Sequence, residues 1–151
     1  MTNAELKQDS SAEPFERIST KLAIVVRDDL PTWQKLNVTA FMASGIAASQ
    51  PGIIGESYSD ASGTKYLPIF RCPVLVFAGN ASQLRRAFDR AVQRGIQSAI
   101  FTADMFATGN DVDNRRVVRA VEFDKLDVVG FGFVAERKAT DKVLKGVHLH
   151  G

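Results

Sequence analysis

Lys21-Leu-Ala-Ile-Val-Val26, closed by Arg27-Asp28-Asp29, decides the fold. The run is too short for a buried helix, is rich in β-branched residues and lacks polar alternation, which is how a strand covered on both faces reads. Leu30-Pro31-Thr32 breaks it, and Thr32 is expected to cap a helix from about Trp33 to Ser49 whose inward face is marked by Leu36, Ala40, Ala43 and Ala47. Gln50-Pro51-Gly52 ends that helix.

The same grammar recurs downstream. Pro73-Val-Leu-Val-Phe-Ala78 is a second buried strand, and Asn80 or Ser82 caps a helix with Leu84, Phe88, Ala91 and Val92 inward and Gly95 at its end. Ser98-Ala-Ile-Phe-Thr102 is a third strand, Val117, Val118 and Val121 mark a further helix, and Leu126 to Ala135 is a long last strand. A terminal helix is expected over Asp141 to Val147, with His148-Leu-His150 as a tail. Between the first two units, Gly55 to Arg71 turns polar, with Ser62-Gly63 as a turn and Tyr66-Leu-Pro-Ile-Phe70 as an edge-like segment, the pattern of a surface hairpin. Alternating strands and helices imply an α/β fold: a three-layer α/β/α sandwich around a mixed, mostly parallel sheet of about four main strands.

The chain has 151 residues, 45% hydrophobic and 24% charged, enough for one core and the composition of an ordinary globular domain. Residues 1–19 read as a polar, flexible lead-in and residues 20–151 as a single domain. No apolar run approaches the length needed to span a bilayer, and the polar opening residues lead us to expect no secretory signal. Cys72 is the single cysteine, so a cytoplasmic location is expected and no partnership with a membrane. A net charge of +2 does not by itself announce a nucleic-acid binder.

Several local patterns offer chemistry. Gly130-Phe-Gly132-Phe-Val-Ala135 has the G-x-G-x-x-A spacing of a dinucleotide turn, but its glycines lie inside an apolar run and read as close-packing positions in a strand. Arg85, Arg86, Arg90 and Arg94 crowd one helix and Arg115, Arg116 and Arg119 another; a phosphate surface is one reading, a solvated face with Asp89 pairing to Arg85 the favoured one. His148 and His150 have no further ligands nearby, so no metal is expected, and no cofactor. Cys72 reads as an inert thiol. If the first and third strands are parallel neighbours, their carboxyl ends bring Asp28, Asp29 and Asp104 to one rim, with Lys35 at the start of the first helix and Thr108 about a turn beyond Asp104. An acid that orients water beside an ammonium that stabilises an oxyanion is a minimal hydrolytic pair.

Lys21-Leu-Ala-Ile-Val-Val-Arg-Asp-Asp-Leu30 followed by Lys35 resembles the opening of the class II (archaeal and eukaryotic-type) peptidyl-tRNA hydrolases, and Asp104-Met-Phe-Ala-Thr108 is similar in spacing to their Asp-Ala-Gly-x-Thr. Trp33-Gln-Lys-Leu-Asn37, Arg71-Cys-Pro-Val-Leu and the Val-Gly-Phe-Gly-Phe stretch resemble a related bacterial family of uncharacterised function sharing that fold. The resemblance implies Lys35 as electrostatic stabiliser, Asp104 as water-orienting acid and Thr108 as supporting hydroxyl, acting on the ester of a peptidyl-tRNA. Thr39 and Met42 stand where the enzymes carry glutamine and histidine, and Phe106 where they carry glycine. Asp28, Asp29, Trp33, Thr39 and Phe106 would then line the substrate.

Two functions follow. One is hydrolysis of peptidyl-tRNA or another small ester or amide. The other is a noncatalytic ligand-binding or interaction module, built on the apolar rim that Trp33, Phe41 and Met42 form. A homodimer is expected, because the resembling enzymes pair and residues 66–70 offer an apolar edge.

Overall fold

A computed structural model describes residues 20–151, so the expected lead-in lies outside the described residues. The opening apolar run is strand β1 (Thr20–Arg27), buried from Leu22 to Val26. Helix α1 (Thr32–Ser49) follows, and a short antiparallel hairpin, β2 (Tyr58–Ser59) with β3 (Lys65–Tyr66), turns at Gly63, whose φ of 83° suits glycine. Strand β4 (Val74–Gly79) leads into α2 (Ala81–Gln93), capped by the reciprocal pairing of Asn80 and Gln83 and ended by Gly95 at φ 70°. Strand β5 (Ala99–Thr102), a 3-10 turn (Ala103–Ala107), α3 (Asp111–Arg119), β6 (Val128–Glu136), α4 (Arg137–Val143) and β7 (His148–Leu149) complete the described chain.

The sheet order is β5-β6-β1-β4-β7. β1 pairs in parallel with β4 and antiparallel with β6, which pairs antiparallel with β5; β7 pairs antiparallel with β4. The sheet is therefore mixed, but only one of its pairings is parallel, which corrects the mostly parallel expectation. β1 and β5 do run the same way, yet they are not neighbours, because β6 returns between them. A helix separates β5 from β6, yet the two strands are antiparallel, and β6 enters the sheet beside the central β1.

Alternate residues of β1 serve two cores, one on each face. Ala23 and Val25 pack with Leu84, Ala87, Phe88 and Ala91 of α2 and Val143 of α4. Leu22, Ile24 and Val26 pack with Val38, Met42 and Ile46 of α1. The inward stripe of α1 is this bulky one; Leu36 is 67% exposed, Ala40 is exposed, and Ala43 and Ala47 are only half-buried. The reason lies across the interface, where Gly130 and Gly132 of β6 face α1. A Cβ on Gly130 would strike Val38 Cγ1, and one on Gly132 would come within 3.0 Å of Ile46 Cδ1 and 3.2 Å of Met42 Cβ. The glycines thus accept the large side chains of the helix, as packing positions and not as a nucleotide turn.

Other local expectations shift as well. Pro31 takes the N-cap position of α1 and no side chain caps it, so Thr32 is already helical. Val92 is exposed, the terminal helix starts earlier than expected, and the tail is an edge strand hydrogen-bonded to β4. No helix among the described residues is long and apolar enough to cross a membrane.

Candidate functional site

β1, β4 and β5 all end at one edge of the sheet, and the segments leaving them carry the residues singled out above. Asp28 is tethered by its backbone, its N–H donating to Gly79 O at 2.9 Å. Asp29 is held by Arg27, whose Nε and Nη2 donate to its two carboxylate oxygens at 3.0 and 2.7 Å; Nη1 donates to Asp127 at 3.0 Å. The Arg27 hydrogen bond is the main reason the Asp29 carboxyl titrates below its ordinary range, with smaller help from the charge of Lys35. Asp28 and Asp29 are both exposed.

Lys35, in the first turn of α1, meets a group that sequence reasoning had left in a tail. Its Nζ lies 3.2 Å from His150 Nε2, while His150 Nδ1 lies 2.8 Å from Gly151 O. The ammonium can only donate, so Nε2 accepts and Nδ1 carries the proton given to the carbonyl. The backbone N–H of His150 donates to Val76 O at 2.9 Å, so the edge strand delivers the imidazole. Thr39 is spent locally, its hydroxyl donating to Lys35 O at 2.7 Å. Asp104 is exposed on the 3-10 turn and forms no ion pair with Lys35.

The larger concavity lies on the other flank of α1. Helical geometry puts Trp33, Asn37 and Phe41 on one side of the buried stripe and Lys35 and Thr39 on the other. A cleft of about 570 Å³ opens beside the first set, walled by Phe101, Phe106 and Thr108 across from them. Rings run along it in contact: Trp33 to Phe106 at 6.2 Å between centroids, Phe106 to Phe101 at 4.9 Å, Phe101 to Phe41 at 5.5 Å. Asn114 of α3 closes the polar side, in a short hydrogen bond with the Thr108 hydroxyl. Of the expected site residues, the structure brings Trp33, Phe106 and Thr108 to this cleft, while Lys35, Thr39, Asp28, Asp29 and Asp104 lie outside its lining.

Sequence reasoning missed Asn37, Phe101 and Asn114 here. Asn37 stands one helical turn beyond Trp33, a signal in hand, whereas Asn114 reaches the cleft only through tertiary packing. Among the arginines, Arg85 pairs with Asp89 at 3.0 Å, donates to Leu126 O and Phe123 O at 2.8 and 2.7 Å, and stacks 4.8 Å over the Phe123 ring. Arg90 donates to Val143 O at 2.9 Å, and Arg115 and Arg116 pair within their own helix. No cluster of three or more metal-ligating side chains occurs among the described residues.

Residues 20–151 match a family profile described as a protein of unknown function, DUF2000. A solved protein of unknown function from Agrobacterium tumefaciens strain C58 is similar at 44% identity, with a TM-score of 0.86 over 88% of this chain and 98% of that one. A search of curated proteins finds no match.

Proposed function

The chain belongs to the DUF2000 family of proteins of unknown function, and from its own geometry we propose that it binds a small, flat, largely apolar molecule in the cleft beside Trp33. One observation carries this reading: Trp33 is 59% exposed at the mouth of an aromatic-walled cleft instead of buried in the adjacent core. Exposed aromatic surface of this kind is unfavourable in water and is relieved when a ligand covers it. A concave, mostly apolar site with a few polar groups at its rim is the usual form of a small-molecule pocket. As the single tryptophan, Trp33 reports on its own site. Its emission should change saturably with ligand and without product; a Trp33→Ala variant that keeps every binding signal would overturn the reading.

A second reading is hydrolysis of peptidyl-tRNA or another small ester or amide, with Lys35, Asp104 and Thr108 catalytic and Asp28, Asp29 and Thr39 near the substrate. Its support is the common direction of β1 and β5, which sends these residues out from one sheet edge, together with the resemblance to class II peptidyl-tRNA hydrolases and the fold this implies. Against it, Lys35 is engaged by His150 on the far flank of α1 from the cleft. Turnover of peptidyl-tRNA that disappears in both Lys35→Ala and Asp104→Ala, with melting unchanged, would establish it; turnover retained in both variants would end it. Under either reading the protein pairs with a second copy through the exposed segment around Leu67.

A further inference from the structure

Resting on the binding reading above, we propose that the cleft selects neutral, planar ligands whose rim carries an amide-type pair of hydrogen-bonding groups, one donor and one acceptor. The shape comes from the ring wall. Trp33, Phe106, Phe101 and Phe41 form an unbroken run of contacts, and a flat apolar face covers such a wall with little conformational entropy lost.

The polar rim sets the rest. Asn37 makes no hydrogen bond within the described residues, so its amide offers both a donor and an acceptor. Asn114 spends one end of its amide on the Thr108 hydroxyl, which holds the side chain and leaves the other end open. Asn110, by contrast, is held against its own helix: its Oδ1 accepts from Asp113 N at 2.8 Å and its Nδ2 donates to the Asp113 carboxylate at 2.9 Å. Two open carboxamides on one side of an aromatic wall match a partner that both gives and accepts, as a carboxamide, a lactam or a heterocyclic base edge does.

Charge narrows the class. Among the described residues Asp111 is the sole charged residue of the lining, and its carboxylate is already paired with Arg115 at 2.7 Å. Among the described residues no cation lines the cleft, so a carboxylate or phosphate entering it would give up water without a counter-charge. A cationic ligand would find the one anion engaged.

The test uses four probes built on one ring: benzamide, benzoate, methyl benzoate and benzylamine. They are titrated into the isotope-labelled protein while the Trp33 indole and asparagine side-chain amide resonances are followed. Benzamide should bind about tenfold more tightly than benzoate or benzylamine and about fivefold more tightly than methyl benzoate, which lacks the donor. Asn37→Leu should reduce the preference over methyl benzoate to about twofold or less, Asn114→Leu should weaken benzamide and methyl benzoate alike, and neither should relax the discrimination against the two charged probes, while the Trp33 resonance still responds. If all four probes bind alike, or benzoate or benzylamine binds best, the ligand class is wrong although the cleft still binds. If none moves the Trp33 resonance, the binding reading itself fails and the class falls with it.

Discussion

Trp33 meets Phe106 edge-on, with ring centroids 6.2 Å apart and planes at 69°, and the contact ties the first turn of α1 to the turn that follows β5. These segments leave strands that are not neighbours, because β6 runs between them. The cleft therefore exists only once the sheet is assembled, and its two walls belong to different strand connections.

The close approach of α1 to β6 yields the firmest stability prediction. Gly130→Ala places a Cβ against Val38 Cγ1 and 3.3 Å from Val25 O. Backbone and a β-branched side chain on a packed helix yield little, so the variant should lose about 1 to 3 kcal/mol. Adding Val38→Ala should recover part of the loss, a coupling that denaturant unfolding of the two single variants and the double variant measures directly.

Arg85 joins α2 to the segment before β6 through two backbone carbonyls, an aspartate and an aromatic face. Arg85→Ala should cost about 2 to 3 kcal/mol, because two carbonyls lose charge-assisted partners together. Arg85→Lys should recover less than half of that, since an ammonium lacks the planar fork. Full recovery in thermal melts would reduce the role of Arg85 to its charge.

Acid should weaken the sheet edge. The Asp29 carboxyl is held below its ordinary range first by the hydrogen bond from Arg27. A depressed value in the folded state means that the contribution is complete above the unfolded value, near 3.8, and is lost as pH falls through the folded one. The pair is solvent-exposed, so the effect is modest. Melting temperatures of the wild type and Asp29→Asn should differ at pH 7 and converge as pH falls through the lowered folded value. A constant difference across that range would contradict the assignment.

Self-association should run through the hairpin side. Leu67 is 84% and Ile69 61% exposed, and they sit beside a two-stranded sheet separate from the main one. Sedimentation should show a dimer that Leu67→Asp with Ile69→Asp converts to monomer. A wild-type chain that remains monomeric at high concentration would remove this interface.

How much of this could be read in the sequence follows from the range of each interaction. β1 was legible because burial on both faces leaves an unbroken apolar run, and α2 because Asn80 and Gly95 act within a turn of the helix they bound. The inward face of α1 was misread because its alanine spacing mimics a small-residue stripe, while the glycines that accept Val38, Met42 and Ile46 lie on a strand far along the chain. Neither the direction nor the position of β6 could be read, since the helix between β5 and β6 suggests a parallel crossover that the sheet does not form. Trp33 and Phe106 were singled out individually; their contact, and that of Lys35 with His150, depends on strand order.

Whether the cleft at Trp33 holds a ligand is read from the emission of that residue during titration with benzamide, in the wild type and in Phe106→Ala. A saturable change is expected in the wild type, and affinity about tenfold weaker in Phe106→Ala, whose aromatic wall is broken. An emission that never saturates in the wild type, or one that responds identically in the two proteins, would contradict binding there.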